Sequence, residues 1–114
     1  MKNRVLDGVH WTHGKTVYSG VIDLQGDTAL ALGVTTISSS GTGMPTFTVE
    51  GSYDMQTWDS AGITQGPTAV LVAPSFQTGV AYGVAYKYAR IKLTGGTTGA
   101  SCVVNVSCGT FDPN

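Results

Sequence analysis

Apolar residues recur at every second position through much of this chain, and no 12-residue stretch carries the helical period. That alternation is the signature of half-buried β-strands. In "KTVYSGVIDL" (residues 15–24) Val17 and Val21 fall on one side, Tyr18 and Ile22 on the other. "DTALALGVTTIS" (27–38) places Leu30, Leu32 and Val34 on one face, and "TFTVEGS" (46–52) sets Phe47 and Val49 against Thr46, Thr48 and Glu50. A short strand is predicted at "TAVLVAP" (68–74), between Pro67 and Pro74. "VAYKYARIKLTG" (84–95) alternates Tyr86, Tyr88, Arg90 and Lys92 with Ala85, Lys87, Ala89, Ile91 and Leu93. "SCVVNVSCGTF" (101–111) closes the series, with Cys102, Val104, Val106 and Cys108 on one face.

The segments between are turns by composition: "SSSGTGMP" (38–45) is a loop and "GGTTG" (95–99) a hairpin connection. Residues 1–14 show no clear period and read as an extended N-terminal arm, leaving 15–114 as a single domain. Seven or eight strands with turn signals between them predict an all-β fold. The natural solution is an antiparallel β-sandwich, jelly-roll or immunoglobulin-like, with a small barrel as the alternative closure.

Composition sharpens this picture in one respect. Of the 114 residues only 11% are charged, against about 25% in an average soluble domain, while hydrophobic content is an ordinary 41%. A surface so poor in charge is either kept soluble by Thr, Ser and Gly or covered by neighbouring subunits, and the second reading is preferred. The net charge of −1 comes with scattered Lys and Arg, so no basic stripe is present for direct nucleic-acid contacts. No apolar run reaches the length of a membrane-spanning helix, so no membrane partner is expected. The opening "MKNRVLDGVHWTHG" lacks the apolar stretch of a secretion signal, which points to a protein used inside a cell or released by lysis.

Candidate chemistry is sparse. Cys102 and Cys108 stand six positions apart on one predicted strand, about 20 Å at 3.3 Å per residue. That is beyond the roughly 7 Å Cα separation a disulfide tolerates. They read as small buried hydrophobes, with a disulfide across a subunit contact as the alternative. His10 and His13 flank Trp11 in "HWTH"; a metal site there would need a distant acid such as Asp7 or Asp112, and none is expected. Trp11 on a polar arm suits insertion into a neighbouring chain, so Val9, His10, Trp11 and His13 are the expected subunit-contact residues. The carboxylates are one glutamate and six aspartates, with Asp54 and Asp59 flanking a turn, an unpromising set for paired acid–base catalysis. Neither a Ser-His-Asp order nor a phosphate-binding loop stands out, and no catalytic residue, cofactor or metal is expected. Asn105-Val106-Ser107 fits the glycosylation acceptor pattern, but without a secretion signal it carries no weight.

The corner "GSYDMQTWDSAG" (51–62) has two readings. Asp54 can close its turn by accepting from amides two or three residues on, with Trp58 packing over the sheet edge. Alternatively, Tyr53 and Trp58, with Tyr82 or Tyr86, form a stacking platform for a host glycan.

Two stretches, "FTVEGSYDMQTWDSAG" (47–62) and "YKYARIKLTGGTTGASCVVNV" (86–106), resemble the strand–turn–strand and later hairpin of β-sandwich virion proteins of tailed phages. Discoidin-like sandwiches are more loosely similar. The resemblance spans roughly residues 46–106, with Gly51, Asp54 and Trp58 matching the turn and Tyr88, Arg90 and Leu93 the strand. In that family these positions are structural, so no active site is implied; the N-terminal arm has no counterpart there. The implied function is a non-enzymatic virion protein present in many copies. It would be assembled in the host cytoplasm and held to a capsid or tail protein, or to copies of itself, through the arm and an uncharged sheet face. A carbohydrate-binding module and a subunit of a non-viral filament are the alternatives.

Overall fold

The computed structural model of the chain describes residues 3–112. It is all-β, with nine antiparallel strands and, among the described residues, no helix. They are β1 (Asn3–Thr12), β2 (Val17–Tyr18), β3 (Ile22–Asp23), β4 (Ala29–Ser40), β5 (Thr46–Ser52), β6 (Thr64–Gly66), β7 (Ser75–Tyr82), β8 (Tyr88–Thr94) and β9 (Ser101–Phe111). One sheet runs β1-β9-β4-β7-β6. In the other, β8 is central, with β5 on one edge and β2 then β3 along the other.

The two sheets close on one core, which makes the fold a β-sandwich. Leu6, Leu30, Leu32, Val34, Val104 and Val106 from the first sheet meet Val17, Phe47, Val49, Ala89, Ile91 and Leu93 from the second. Four strands follow the alternation seen in the sequence: β5 and β9 occupy the predicted spans, and β4 and β8 lie over the predicted positions.

The N-terminal arm is corrected. Residues 3–12 are a full strand of the five-stranded sheet, paired with β9 from Asn3↔Cys108 to Thr12↔Ser101; residues 1 and 2 lie outside the described residues. The period was hidden by register shifts on either side of Leu6. Between Leu6↔Val106 and Val9↔Val104 an extra residue is absorbed by a bulge. Gly8 turns there with φ of 59°, and its amide donates to Asn105 Oδ1 at 2.6 Å. Leu6, Val9 and Trp11 therefore all face the core although their spacing is three, then two.

The strand predicted over 68–74 is also corrected. That segment makes a single bridge, Thr46↔Ala69, and buries Val70, while Leu71 and Val72 are exposed. The strand comes next, at β7, whose inward positions are small or polar and so did not stand out. In residues 15–24 the pairing slips by one between Tyr18↔Lys92 and Ile22↔Ala89. Ser19 fills the slip: its amide donates to the Ile91 carbonyl (2.9 Å) and its hydroxyl accepts from the Ile91 amide (2.8 Å). Val17 and Ile22 consequently share the inner side, and Val21 is exposed, against the phase expected from simple alternation.

Candidate functional site

Strand β7 is built inside out. Its partners fix the directions: Ser75, Gln77, Gly79 and Ala81 pair with the inward Thr36, Val34, Leu32 and Leu30 of β4. Phe76, Thr78, Val80 and Tyr82 therefore point away from the core. A strand normally turns its large apolar residues inward; here Phe76 is 67% exposed and Tyr82 46%.

The neighbouring strands supply a low floor around these side chains. Outward positions of β4 are Ala31, Gly33 and Thr35, and those of β9 opposite them are Gly109, Ser107 and Asn105. The Phe76 ring lies over Gly33, about 3.7 Å from where a Cβ would stand, which is ordinary van der Waals contact. At the other end Ala29 pairs with both Tyr82 and Phe111. Those two rings, from the residues on either side of Ala29, meet edge to face at 6.3 Å, and Ala29 is fully buried. The face is thus an aromatic ridge at each end with small residues between.

It is also free of charge. Strands β4, β6, β7 and β9 contain no Asp, Glu, Lys, Arg or His at any position. The charged side chains of this sheet, Arg4 and Asp7, sit on the edge strand β1 and pair with each other at 3.1 Å. The other sheet is the opposite: its outer side carries Glu50, Arg90 and Lys92 on adjacent strands.

The expected subunit-contact residues fall elsewhere. Trp11 is fully buried in its own chain, with Nε1 donating to the Lys15 carbonyl at 2.8 Å, so it offers nothing to a neighbour. Val9 is half-buried against the same core. His10 and His13 are exposed, and the His13 amide donates to the Ala100 carbonyl at 3.0 Å. Among the described residues no group of three His, Cys, Asp or Glu is placed to hold a metal ion.

The corner residues are engaged in holding the backbone. Asp54 Oδ1 accepts from the amides of Thr57 and Gln56, both at 2.9 Å, and from the Ser52 hydroxyl at 3.0 Å. These bonds, the Thr57 amide first, hold its carboxyl below the usual aspartate range. Trp58 carries the Arg90 guanidinium over its ring at 4.3 Å, while Tyr18 covers the other side of that guanidinium at 3.9 Å. Arg90 Nε donates to Glu50 at 2.9 Å. One face of the Trp58 ring is therefore occupied. Tyr53 is exposed, but its ring leans on Tyr86 at 5.2 Å and its hydroxyl donates to the Ala85 carbonyl.

Both cysteines are buried and free on β9, as the spacing indicated. Burial raises both thiols, Cys108 to about 11, so neither is a thiolate at neutral pH. Cys108 is among the residues lining a groove of about 490 Å³ between β1, β9 and β3, with Val5, Val21, Ile22 and Asp23.

The outward set of β7 escaped the sequence reading, although "SFQTGVAY" does alternate. Its signal was Phe76, Val80 and Tyr82 at even spacing opposite Gln77, Gly79 and Ala81. No family model, no curated protein and no solved structure matches the chain.

Proposed function

We infer that the chain is a non-enzymatic structural subunit of a tailed-phage or phage-like particle, present in many copies. It attaches to a capsid or tail protein, or to its own copies, through the outer face of the five-stranded sheet. The observation that carries this reading is the inside-out strand β7 set among charge-free strands. Exposed aromatic and aliphatic residues grouped on one side mark a surface that is covered in use. Phe76 and Tyr82, both more than 40% exposed, stand on this face with Val80 between them. The phage context is supported by the resemblance of residues 46–106 to virion sandwiches, whose matching positions here hold a corner and a sheet in shape.

The attachment surface has moved from the arm to the sheet, because the arm is part of the core. Particles banded on a density gradient from the source culture, then digested and read by mass spectrometry, test the reading. Peptides of this chain are expected to co-band in many copies per particle. Their absence from every particle band would contradict it. Retention of the soluble chain on a glycan array, lost in Trp58→Ala, would favour the carbohydrate reading instead.

A further inference from the structure

We propose that the outer face of the five-stranded sheet seats a second copy of this chain, packed sheet against sheet about a two-fold axis. This rests on the structural-subunit reading and names the partner of that same face. A two-fold axis sets each patch against its own equivalent, so charges near the axis meet their like. Unlike partners, in contrast, select one another largely through complementary charge. Strands β4, β6, β7 and β9 offer no charge to complement and none to repel, which suits a copy of the same face.

The relief is self-complementary as well. Phe76 forms one ridge and the Tyr82–Phe111 pair the other, with Ala31, Ser107 and Gly109 as the trough between them. A ridge from one copy seats in the trough of the other, and the missing side chains let the sheets approach to the roughly 10 Å of ordinary sheet packing. Strands β4, β7 and β9, about 4.8 Å apart over the eight β4–β7 pairs from Ala29↔Tyr82 to Thr36↔Ser75, with the three residues of β6 beside them, give roughly 440 Å² per copy. Two copies bury about 900 Å², close to the lower bound for a specific interface and the size of a weak, concentration-dependent dimer.

Light scattering on the chain eluting from a sizing column tests this. The expected mass is twice the 11.8 kDa of one chain. Phe76→Asp places a charge at the ridge and is expected to weaken the dimer roughly thirtyfold or more, as loss of a large aromatic anchor does. Thr78→Lys, at an exposed outward position with no apolar contact removed, guards against a folding defect and is expected to act in the same direction. Met55→Asp adds the same charge as Phe76→Asp at an exposed turn away from this face and should leave the doubled mass intact. A single-chain mass up to the solubility limit, or a dimer that survives both face variants, would overturn the proposal. A single-chain mass combined with particle co-banding that Phe76→Asp abolishes would remove the second copy as occupant and leave the structural-subunit reading standing.

Discussion

Trp11→Ala is expected to lose about 3–5 kcal/mol of stability, the usual cost of emptying a large buried aromatic site. For a domain of this size that is a drop in Tm of roughly 15 °C or more. The reason is geometric. Trp11 has no exposed surface and seals the sandwich at the Gly43–Gly96 end. Gly96, at φ of 80°, leaves the space the ring fills: a Cβ there would stand 2.2 Å from its Cη2 carbon. Alanine opens a cavity that these loops, joined by the Thr97 amide donating to the Gly43 carbonyl, are not free to close. It also leaves the Lys15 carbonyl without the indole donor. Thermal melting checks the figure, and a variant melting within a few degrees of the wild type would contradict it. Removal of residues 3–12 should go further and unfold the chain, since it strips β9 of its outer partner along with Leu6 and Trp11.

Gln65→Ala is expected to cost about 3 kcal/mol or more, from three backbone groups left without partners at roughly 1–3 kcal/mol each. Gln65 stands on β6, in the five-stranded sheet, and its amide reaches across to β5 in the other. Oε1 accepts from the Val49 amide at 2.7 Å, and Nε2 donates to the carbonyls of Phe47 (2.7 Å) and Pro67 (3.0 Å). The side chain does for the free edge of β5 what another strand would do, and ties the two sheets together on that side. Gln65→Glu keeps the acceptor for Val49 but turns a carboxylate oxygen toward two carbonyls, so it should lose nearly as much at neutral pH. Urea unfolding gives the free energies. Amide exchange at Val49 separates the clamp from a general loosening: it should quicken in Gln65→Ala well before the amides of β9 do. An unchanged Val49 rate would show that the clamp contributes nothing.

These two residues show where the sequence stopped speaking. Strands β4, β5, β8 and β9 were legible because one side of each carries the large apolar residues that meet the core and the other is mostly small or polar, so burial and alternation coincide. Strand β1 was not, because its bulge at Gly8 takes one residue out of the count and leaves an aperiodic "LDGVHW" in which Leu6, Val9 and Trp11 face inward while Asp7, Gly8 and His10 are exposed. The role of Gln65 depends on two strands brought together only by the fold, and no local pattern announces it. Strand β7 alternates as clearly as any other, but with its large residues outward, and hydrophobic alternation does not say which side is the core. The corner at Asp54 and Trp58 is legible as a turn with a packing tryptophan, yet its partner, Arg90 with Tyr18 and Trp58 against its guanidinium, depends on the register of β2 and β8. The candidate face was visible only as a shortage of charge; its position needed the strand order.

Hydroxyl-radical footprinting of the chain in its assembled form, compared with the chain dispersed to single copies, tests most directly whether the inside-out face is the working surface. Phe76 and Tyr82 are predicted to be shielded several-fold on assembly, while Tyr53 and Met55, exposed on the opposite sheet's corner, keep their reactivity. Equal oxidation of Phe76 in both states, with protection falling on Tyr53 and Met55, would contradict it.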